Sequence, residues 1–446
     1  MVDSDSYLSD VDRRKYLKAV SAGAALGVAG CSGDGGDGGT TEDSGSDGGT
    51  EAQSWDNELE VLHGWAGGDG EAAITALIEA FQEEYPDMET NFQAVGASAN
   101  VNLNATITRR LANDNPMSSF ANWPGPNLER YSGALGDVQE EVWEGEGYMD
   151  TMQERVIDLC TFNDKMPSVP IGSHRMNNLF YNVSAMEEAG VDPDSLDSID
   201  ALMDALAAID EGTDITPMGQ AKAAPWTALQ LWVQVLVGQS GVEAFENWIE
   251  GNADRQAVVD ALDVVREIEQ NYITSDASTL SFTDVGGRMI DGDVATMHQG
   301  NWLYGQLRAD EEFNYQEEWG WIPFPGTEGI YHYHVDAFHL PAENPSQEET
   351  VEWMKFVGTK EAQITFNNLK GSVPLRTDID SSELTDFLAT TYEDLTDSES
   401  YPPTLAHGLA VPPEQLGSCR EAIGNNMMGP YDVEAAADDL IAVTSE

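Results

Sequence analysis

The feature that most restricts the fold is a strand, a turn, a helix and a second strand in immediate succession. Leu59-Glu60-Val61-Leu62-His63-Gly64-Trp65 reads as a strand, and Gly67-Gly68-Asp69-Gly70 as a turn. Ile74, Leu77, Ile78 and Phe81 then recur at helical spacing until Pro86 stops the helix. A second strand is expected near residues 90–95 and another helix near 104–112. Such an opening predicts an α/β fold with a parallel sheet and helices on its faces. Further on, the pattern predicts helices over 198–209, 225–237, 241–250 and 255–272, strands at 331–340 and a helix over 347–369. Residues 371–376 read as extended, and the tail after Val433 as helical. No tandem repeat is present.

Charge narrows the function. The 446 residues hold 80 acids against 20 bases, for a formal net charge of −60. Residues 1–30 carry four acids and four bases, so the rest of the chain carries the whole imbalance. Such a chain repels phosphate backbones and anionic lipid, which excludes nucleic-acid binding and a polybasic membrane anchor. With 41% apolar residues and 11 Trp, it has the material for a large core. Its length suits two or three domains, or one two-lobed body. The acid excess reads as a solvated surface suited to a salt-rich medium, where screening relieves self-repulsion. No calcium-loop pattern argues for a cation store.

The N-terminus reads as an address. Arg13-Arg14 precedes a short, small-residue apolar run that ends in Val28-Ala29-Gly30-Cys31. A twin arginine before such a run is the pattern of a twin-arginine export signal, and the run is too short to span a bilayer. The last four residues form a lipobox, with Cys31 as the lipidated residue. Residues 1–31 are therefore expected to be a lipoprotein signal. Residues 32–56, Gly-, Asp- and Ser-rich, are expected to be a disordered tether. No other stretch is long and apolar enough to span a membrane, so the partner should lie on or in the membrane that holds the lipid. Cys160 and Cys419 remain, either paired in an oxidising location or each buried as a thiol. His332 and His334 alternate onto one strand face and His339 onto the other, so no metal site is expected. Asn104 and Asn182 head N-glycosylation sequons.

Ligands of open α/β sheets bind beyond the carboxyl ends of the strands. Trp65, the Asn122-Trp123 pair and Trp302, which follows the strand-like Asp293–Met297, fall there. A Trp face covers the C–H side of a sugar ring while carboxylates and amides take its hydroxyls. Trp143, Trp232, Trp248, Trp319, Trp321 and Trp353 read as packing.

At this point the chain resembles the extracellular solute-binding proteins of ABC sugar importers, the maltose-binding-protein relatives, and among them the glucose-binding branch. Seven blocks carry the resemblance in order over about residues 57–446. They are the 59–65 strand with its Gly-rich turn; F-Q-E-E-Y-P at 81–86; N-L-F-Y-N-V-S-A-M-E-E-A-G-V at 178–191; G-D-V-A-T-M-H-Q-G-N-W at 292–302; Y-H-Y-H-V-D-A-F-H-L-P at 331–341; N-N-L-K-G-S-V-P-L-R-T-D at 367–378; and L-A-H-G-L-A-V-P at 405–412.

The resemblance implies a type II periplasmic-binding-protein-like fold, with two α/β lobes joined by crossing hinge segments near 177–181, 331–335 and 371–375. The N-lobe would be 57–178 plus 335–372, and the C-lobe 179–334 plus 373–446. Trp65 resembles a cleft aromatic on the first strand, with Glu71 an acid just after it. The glycines shift the local register, so Asp69 serves equally. Asn122 and Trp123 match a position that meets sugar. His174 and Arg175 lie beside the first crossing, within reach of the cleft. Trp226 opens a C-lobe helix at an aromatic position, and Asn301-Trp302 resembles a stacking aromatic with a polar neighbour. Asp336 matches an acid that accepts from hydroxyls, while Lys370 and His407 match ring contacts. The implied function is a lipid-anchored, monomeric receptor without cofactor. It would capture glucose or another mono- or small oligosaccharide and hand it to an ABC permease. The rival reading is an exported glycosidase-like enzyme, although no hydrolase or P-loop motif is present.

Overall fold

The computed structural model describes residues 55–68, 70–96 and 100–445. Arg13, Arg14, Cys31, the stretch 32–54 and Asp69 lie outside the described residues. At the start of the described chain, Trp55 packs edge-on against Tyr85, and the Asp56 and Asn57 N–H groups donate to Glu349. The last residues of the expected tether are thus fastened to the body.

Two sheets organise residues 55–445. The first has the order β2-β1-β3-β9-β4, with β1 Leu59–His63, β2 Thr90–Ala94, β3 Ser119–Asn122, β4 Ser168–Arg175 and β9 Tyr333–His339. The second has the order β6-β7-β5-β8, with β5 Asn178–Asn182, β6 Thr216–Gly219, β7 Val294–Gln299 and β8 Trp319–Pro323. The opening strand–helix–strand unit is as expected, with the helix Glu71–Glu84 burying Ala73, Ile74, Leu77 and Phe81. The expectation of a parallel sheet needs correction, because both sheets are mixed. β1 pairs parallel with β2 and β3, whereas β9 runs antiparallel to both β3 and β4. The reason is connectivity. The chain leaves the first sheet after Arg175, enters the second at Asn178, and returns after Pro323 to insert β9 from the opposite direction.

The expected 347–369 helix is two helices, Gln347–Val357 and Lys360–Lys370. Thr359 interrupts them by taking an extended conformation and accepting the Ala362 N–H on its side chain, which starts a new N-terminus. The extended stretch 371–376 makes single bridges, Val373 to Ser173 and Arg376 to Met152, alongside the first sheet. Among the described residues no helix is long and apolar enough to cross a membrane.

Cys160 and Cys419 are buried free thiols in separate apolar clusters. Five of the tryptophans assigned to packing (Trp143, Trp232, Trp248, Trp319 and Trp353) are fully buried. Asn182 is 4% exposed, caps the helix Val183–Ala189 and donates to the Met289 carbonyl, so its sequon is occupied by the fold itself.

One buried ion pair braces the second sheet's helices. Lys222 Nζ donates to Glu269 Oε2 at 2.5 Å and to the Tyr431 hydroxyl at 2.5 Å. Burial pushes the Glu269 carboxyl above its ordinary range, and the adjacent ammonium offsets this only in part. Removing one partner strands a charge in the core, which costs about 3–5 kcal/mol. Lys222→Met should lower the urea midpoint accordingly, and adding Glu269→Leu should restore most of the loss. Equal losses in the single and double variants would show that packing, not charge pairing, dominates there.

Candidate functional site

The ends of several strands and helices enclose a cavity of about 310 Å³. β1 delivers Gly64 and Trp65, and β3 ends in Asn122 followed by Trp123. β4 supplies His174, while β9 supplies His334 and Asp336. From the other sheet come Trp226, at the start of its helix, and Trp302, after β7. Lys370 ends the helix Lys360–Lys370, and His407 lies on a loop.

The polar centre is a carboxylate between imidazoles. Asp336 is 8% exposed. Its Oδ1 lies 3.2 Å from His334 Nε2, and its Oδ2 lies 3.4 Å from His174 Nε2. The strand register makes this possible. His174 pairs directly with His334 across the β4–β9 ladder, and Asp336 follows two residues later on the same face. The two rings stack 5.9 Å apart. Burial pushes the Asp336 carboxyl up, but the two imidazoles facing its oxygens outweigh it and hold the pKa well below the usual carboxylate range. Burial, aided by the Lys370 ammonium, lowers His174 to about 4, and burial with nearby cationic groups lowers His407 well below its ordinary value.

The walls are aromatic. Trp302 lies 5.0 Å from His407, 5.3 Å from His174 and 6.3 Å from Trp226. Trp123 sits edge-on to both His334 and His407. Gly300 is what lets the Trp302 ring fold back, since a Cβ there would run into the indole. Gly371, at φ +85°, ends the Lys370 helix in the left-handed region, where a Cβ would press on the Asn301 carbonyl.

Nine of the residues expected to face ligand therefore line one cavity: Trp65, Asn122, Trp123, His174, Trp226, Trp302, Asp336, Lys370 and His407. Three do not. Glu71 is exposed in the first turn of its helix and outside the lining. Asn301 is fully buried behind His174, bonded to its Nδ1 at 2.6 Å. Arg175 points away because strand neighbours alternate. It pairs with Asp394 at 2.5 Å and sits 4.8 Å from the Trp321 ring, so Trp321 serves as a cation–π platform in addition to packing.

Asn122 also plays a different part from the one expected. Its amide donates to Asn104 at 2.7 Å and Tyr131 at 2.9 Å, and accepts from the Trp123 N–H at 2.9 Å and Asn127 at 3.1 Å. All four amide positions are thus taken by the protein.

Sequence reasoning passed over His334, Phe282, Thr283 and Asn100, which join the lining. The capping box Ser281/Asp284 marks the helix start that presents Phe282 and Thr283, and was a readable signal. His332 was expected to share a face with His334, but it precedes β9 and bonds Gln234 and the Pro403 carbonyl instead. His339 bonds Ser168 away from the cavity. Among the described residues no group of His, Cys, Asp or Glu could hold a metal ion.

Two α/β sheets linked by repeated crossings, with an aromatic cavity at their strand ends, define a binding receptor of the two-lobed type. The family of bacterial extracellular solute-binding proteins matches residues 76–391, and the chain belongs to that family. It is a binding protein, not an enzyme. The xylose/arabinose-binding protein XacG of Haloferax volcanii is 66% identical over 459 residues, covering 100% of both chains. An uncharacterised ABC transporter extracellular-binding protein of Pyrococcus horikoshii is 29% identical over 393 residues, covering 86% of each. Among solved structures, a chitin oligosaccharide binding protein superposes with a TM-score of 0.75 at 17% identity, covering 87% of this chain and 98% of its own.

Burial also holds His63, His298, His332 and His339 at about 4, as it does His174. A histidine depressed in the native state is protonated first on unfolding. Its contribution is complete above the ordinary value near 6.5 and is lost as pH falls toward 4. Each such group contributes up to about 1.4 kcal/mol per pH unit within that window. At constant molar salt, the urea midpoint should fall between pH 7 and pH 5. An unchanged midpoint would contradict the neutral, buried state of these imidazoles.

Proposed function

We propose that this chain is the substrate-binding protein of an ABC sugar importer, and that it captures a single sugar ring, a pentose such as xylose or arabinose. The observation that carries the reading is the buried, imidazole-held carboxylate of Asp336 inside a cavity walled by tryptophans. Indole faces suit the C–H side of a pyranose, and a carboxylate that stays ionised near neutral pH can only accept, so it suits the hydroxyl donors of a sugar. The charged side chains of the described lining are one carboxylate and one ammonium, Asp336 and Lys370, in a molecule of −60. That balance favours a neutral ligand. A volume of 310 Å³ stands at the lower end of the range of about 300–1,000 Å³ for ligand pockets, which favours one ring over an oligosaccharide. The pentose, in place of the glucose that the sequence resemblance suggests, is supported by the name of the Haloferax relative. A place in an ABC transporter is supported by the name of the Pyrococcus relative.

In this reading the lobes are 57–178 plus 335–372 and 179–334 plus 373–446, and they close about the crossings to bury the sugar. Closure shifts a two-state equilibrium that the permease senses. The receptor acts as a monomer held by lipid on Cys31 after export directed by Arg13 and Arg14.

Calorimetry in molar salt against xylose, arabinose, glucose and a disaccharide tests the ligand. Saturable pentose binding with weaker glucose binding is expected, and tight binding of only the disaccharide would overturn the single-ring reading. Trp302→Ala should weaken sugar binding about tenfold or more, as loss of a central aromatic does, with melting nearly unchanged. A parallel loss of melting temperature would make Trp302 a core residue. For the anchor, replacing Arg13 and Arg14 together by lysine should abolish surface display, whereas normal display would refute the export route.

A further inference from the structure

Behind the cavity, Asn301 presents an unusual problem of hydrogen bonding. It is fully buried, and its own N–H donates to the Arg175 carbonyl at 3.1 Å, so the residue is fixed in place. Its Oδ1 faces His174 Nδ1 at 2.6 Å. In that orientation the Asn301 Nδ2 group and His174 Nε2 are both buried without a hydrogen-bond partner among the described residues. Yet His174 Nε2 is the atom that faces Asp336 Oδ2, 3.4 Å away.

The groups around His174 decide which protons it carries. Asp336, Lys370 and His334 are the titratable groups acting on its ring, and burial together with Lys370 favours the neutral form. A neutral imidazole has one N–H. Placed on Nδ1, the proton would leave a lone pair on Nε2 pointed at a carboxylate oxygen. Turning the Asn301 amide by half a rotation reverses this. Nδ2 then donates to Nδ1, the imidazole proton resides on Nε2, and Nε2–H donates to Asp336. Both stranded nitrogens find a partner, and the amide oxygen takes the unpaired place, a cheaper one to leave short than a nitrogen donor. His334 has the matching geometry, with Nε2 facing Asp336 Oδ1 at 3.2 Å and Nδ1 unpartnered among the described residues.

We infer that Asn301 is a positioning residue that fixes His174 in its Nε2–H form, so that Asp336 receives one imidazole N–H on each oxygen and uses the remaining acceptor position of each to read two adjacent hydroxyls of the ligand. The hydroxyl part rests on the sugar-binding reading above; the tautomer part does not. Each oxygen of an ionised carboxylate has two acceptor positions, and one per oxygen is used by an imidazole. Asp336 lines the cavity, which puts the other two within reach of a ligand. Adjacent hydroxyls match the two oxygens of a single carboxylate. Because the imidazoles hold the carboxylate in place, losing either hydroxyl leaves a buried acceptor unpaired, the situation in which binding sites discriminate most strongly.

Two measurements test this. Imidazole nitrogen NMR on the sugar-free protein at pH 7 should show His174 protonated on Nε2 and bare on Nδ1. A proton on Nδ1, or on both nitrogens, overturns the tautomer assignment whether or not any sugar binds. Calorimetry with D-xylose and its singly deoxygenated analogues should show about tenfold weaker binding for two neighbouring deoxy positions. Penalties at no position, or at two positions that are not neighbours, overturn the diol reading. Asn301→Leu, which does not touch the cavity, should weaken xylose binding about tenfold and bring the xylose-to-deoxyxylose ratio toward one. Its His174 ring should lose the Nε2–H signature. An unchanged ratio in a folded Asn301→Leu protein would assign Asn301 a packing role. Failure of all sugars to bind would remove the functional reading, while the ring spectrum would still decide the role of Asn301.

Discussion

A carboxylate can be buried only where something donates to it, and the cavity is arranged around that requirement at Asp336. Its charge would cost several kcal/mol without partners. Two imidazoles meet the cost, and both owe their positions to one ladder, the antiparallel pairing of β4 with β9. Slip that register by one residue and His334 and Asp336 both turn to the opposite face. The mixed topology of the first sheet is therefore more than a detail of architecture. β9 returns from the second sheet and places an acid and a histidine, two residues apart, opposite a histidine that immediately precedes the outward crossing.

The rest of the molecule has the opposite electrostatic character. A chain with a net charge of −60 holds a cavity whose described lining has one acid and one lysine. Three imidazoles line that cavity, and burial keeps His174 and His407 in their neutral forms well below ordinary pH. Fully charged histidines would bring in several positive charges and bind anions; neutral ones bring donors and acceptors without net charge. Salt screens the exterior within a few Å but screens buried groups much less. The two regimes are thus separable, and the acidic exterior can respond to its medium with little effect on ligand chemistry inside.

What was legible in the sequence follows from what each signal depends on. Trp65, Trp123 and Trp302 were readable because a large aromatic just past a strand end has few packing explanations, and strand ends are visible in local pattern. The break at Thr359 was harder, because the apolar periodicity of the two helices runs on through a residue whose capping role appears only in three dimensions. Glu71 was misplaced because the exposed first turn of a helix and the cavity rim look alike in one dimension. Arg175 was misplaced although alternation alone separates it from His174: once one faces the cavity, its neighbour cannot. Asn122 and Asn301 show the deeper limit. Polarity and position were right, yet an amide whose four positions are occupied, or which stands one layer behind the lining, differs from a ligand contact only in its partners. Those partners lie in distant segments, which no local pattern reveals.

The neighbouring pair His174 and Arg175 links site and crossing. One side chain faces Asp336, and the next faces backward, held by Asp394, by the Asn177 amide at 3.2 Å and by the Trp321 ring. Between Arg175 and Asn178 the chain passes from one sheet to the other. Any rotation of one sheet against the other must be absorbed within those few residues, since the flanking strands are tied into ladders. His174 is tied to the first sheet through its pairing with His334, and its ring is tied through Asn301 to the segment after β7 of the second. The imidazole that completes the Asp336 acceptor is thus held from both sides of the crossing. In the proposed reading, moving the sheets apart strains the Asn301–His174 hydrogen bond and with it the carboxylate that would accept from hydroxyls. Binding and closure would then share one set of hydrogen bonds, which is the condition under which a ligand favours the closed state over the open one.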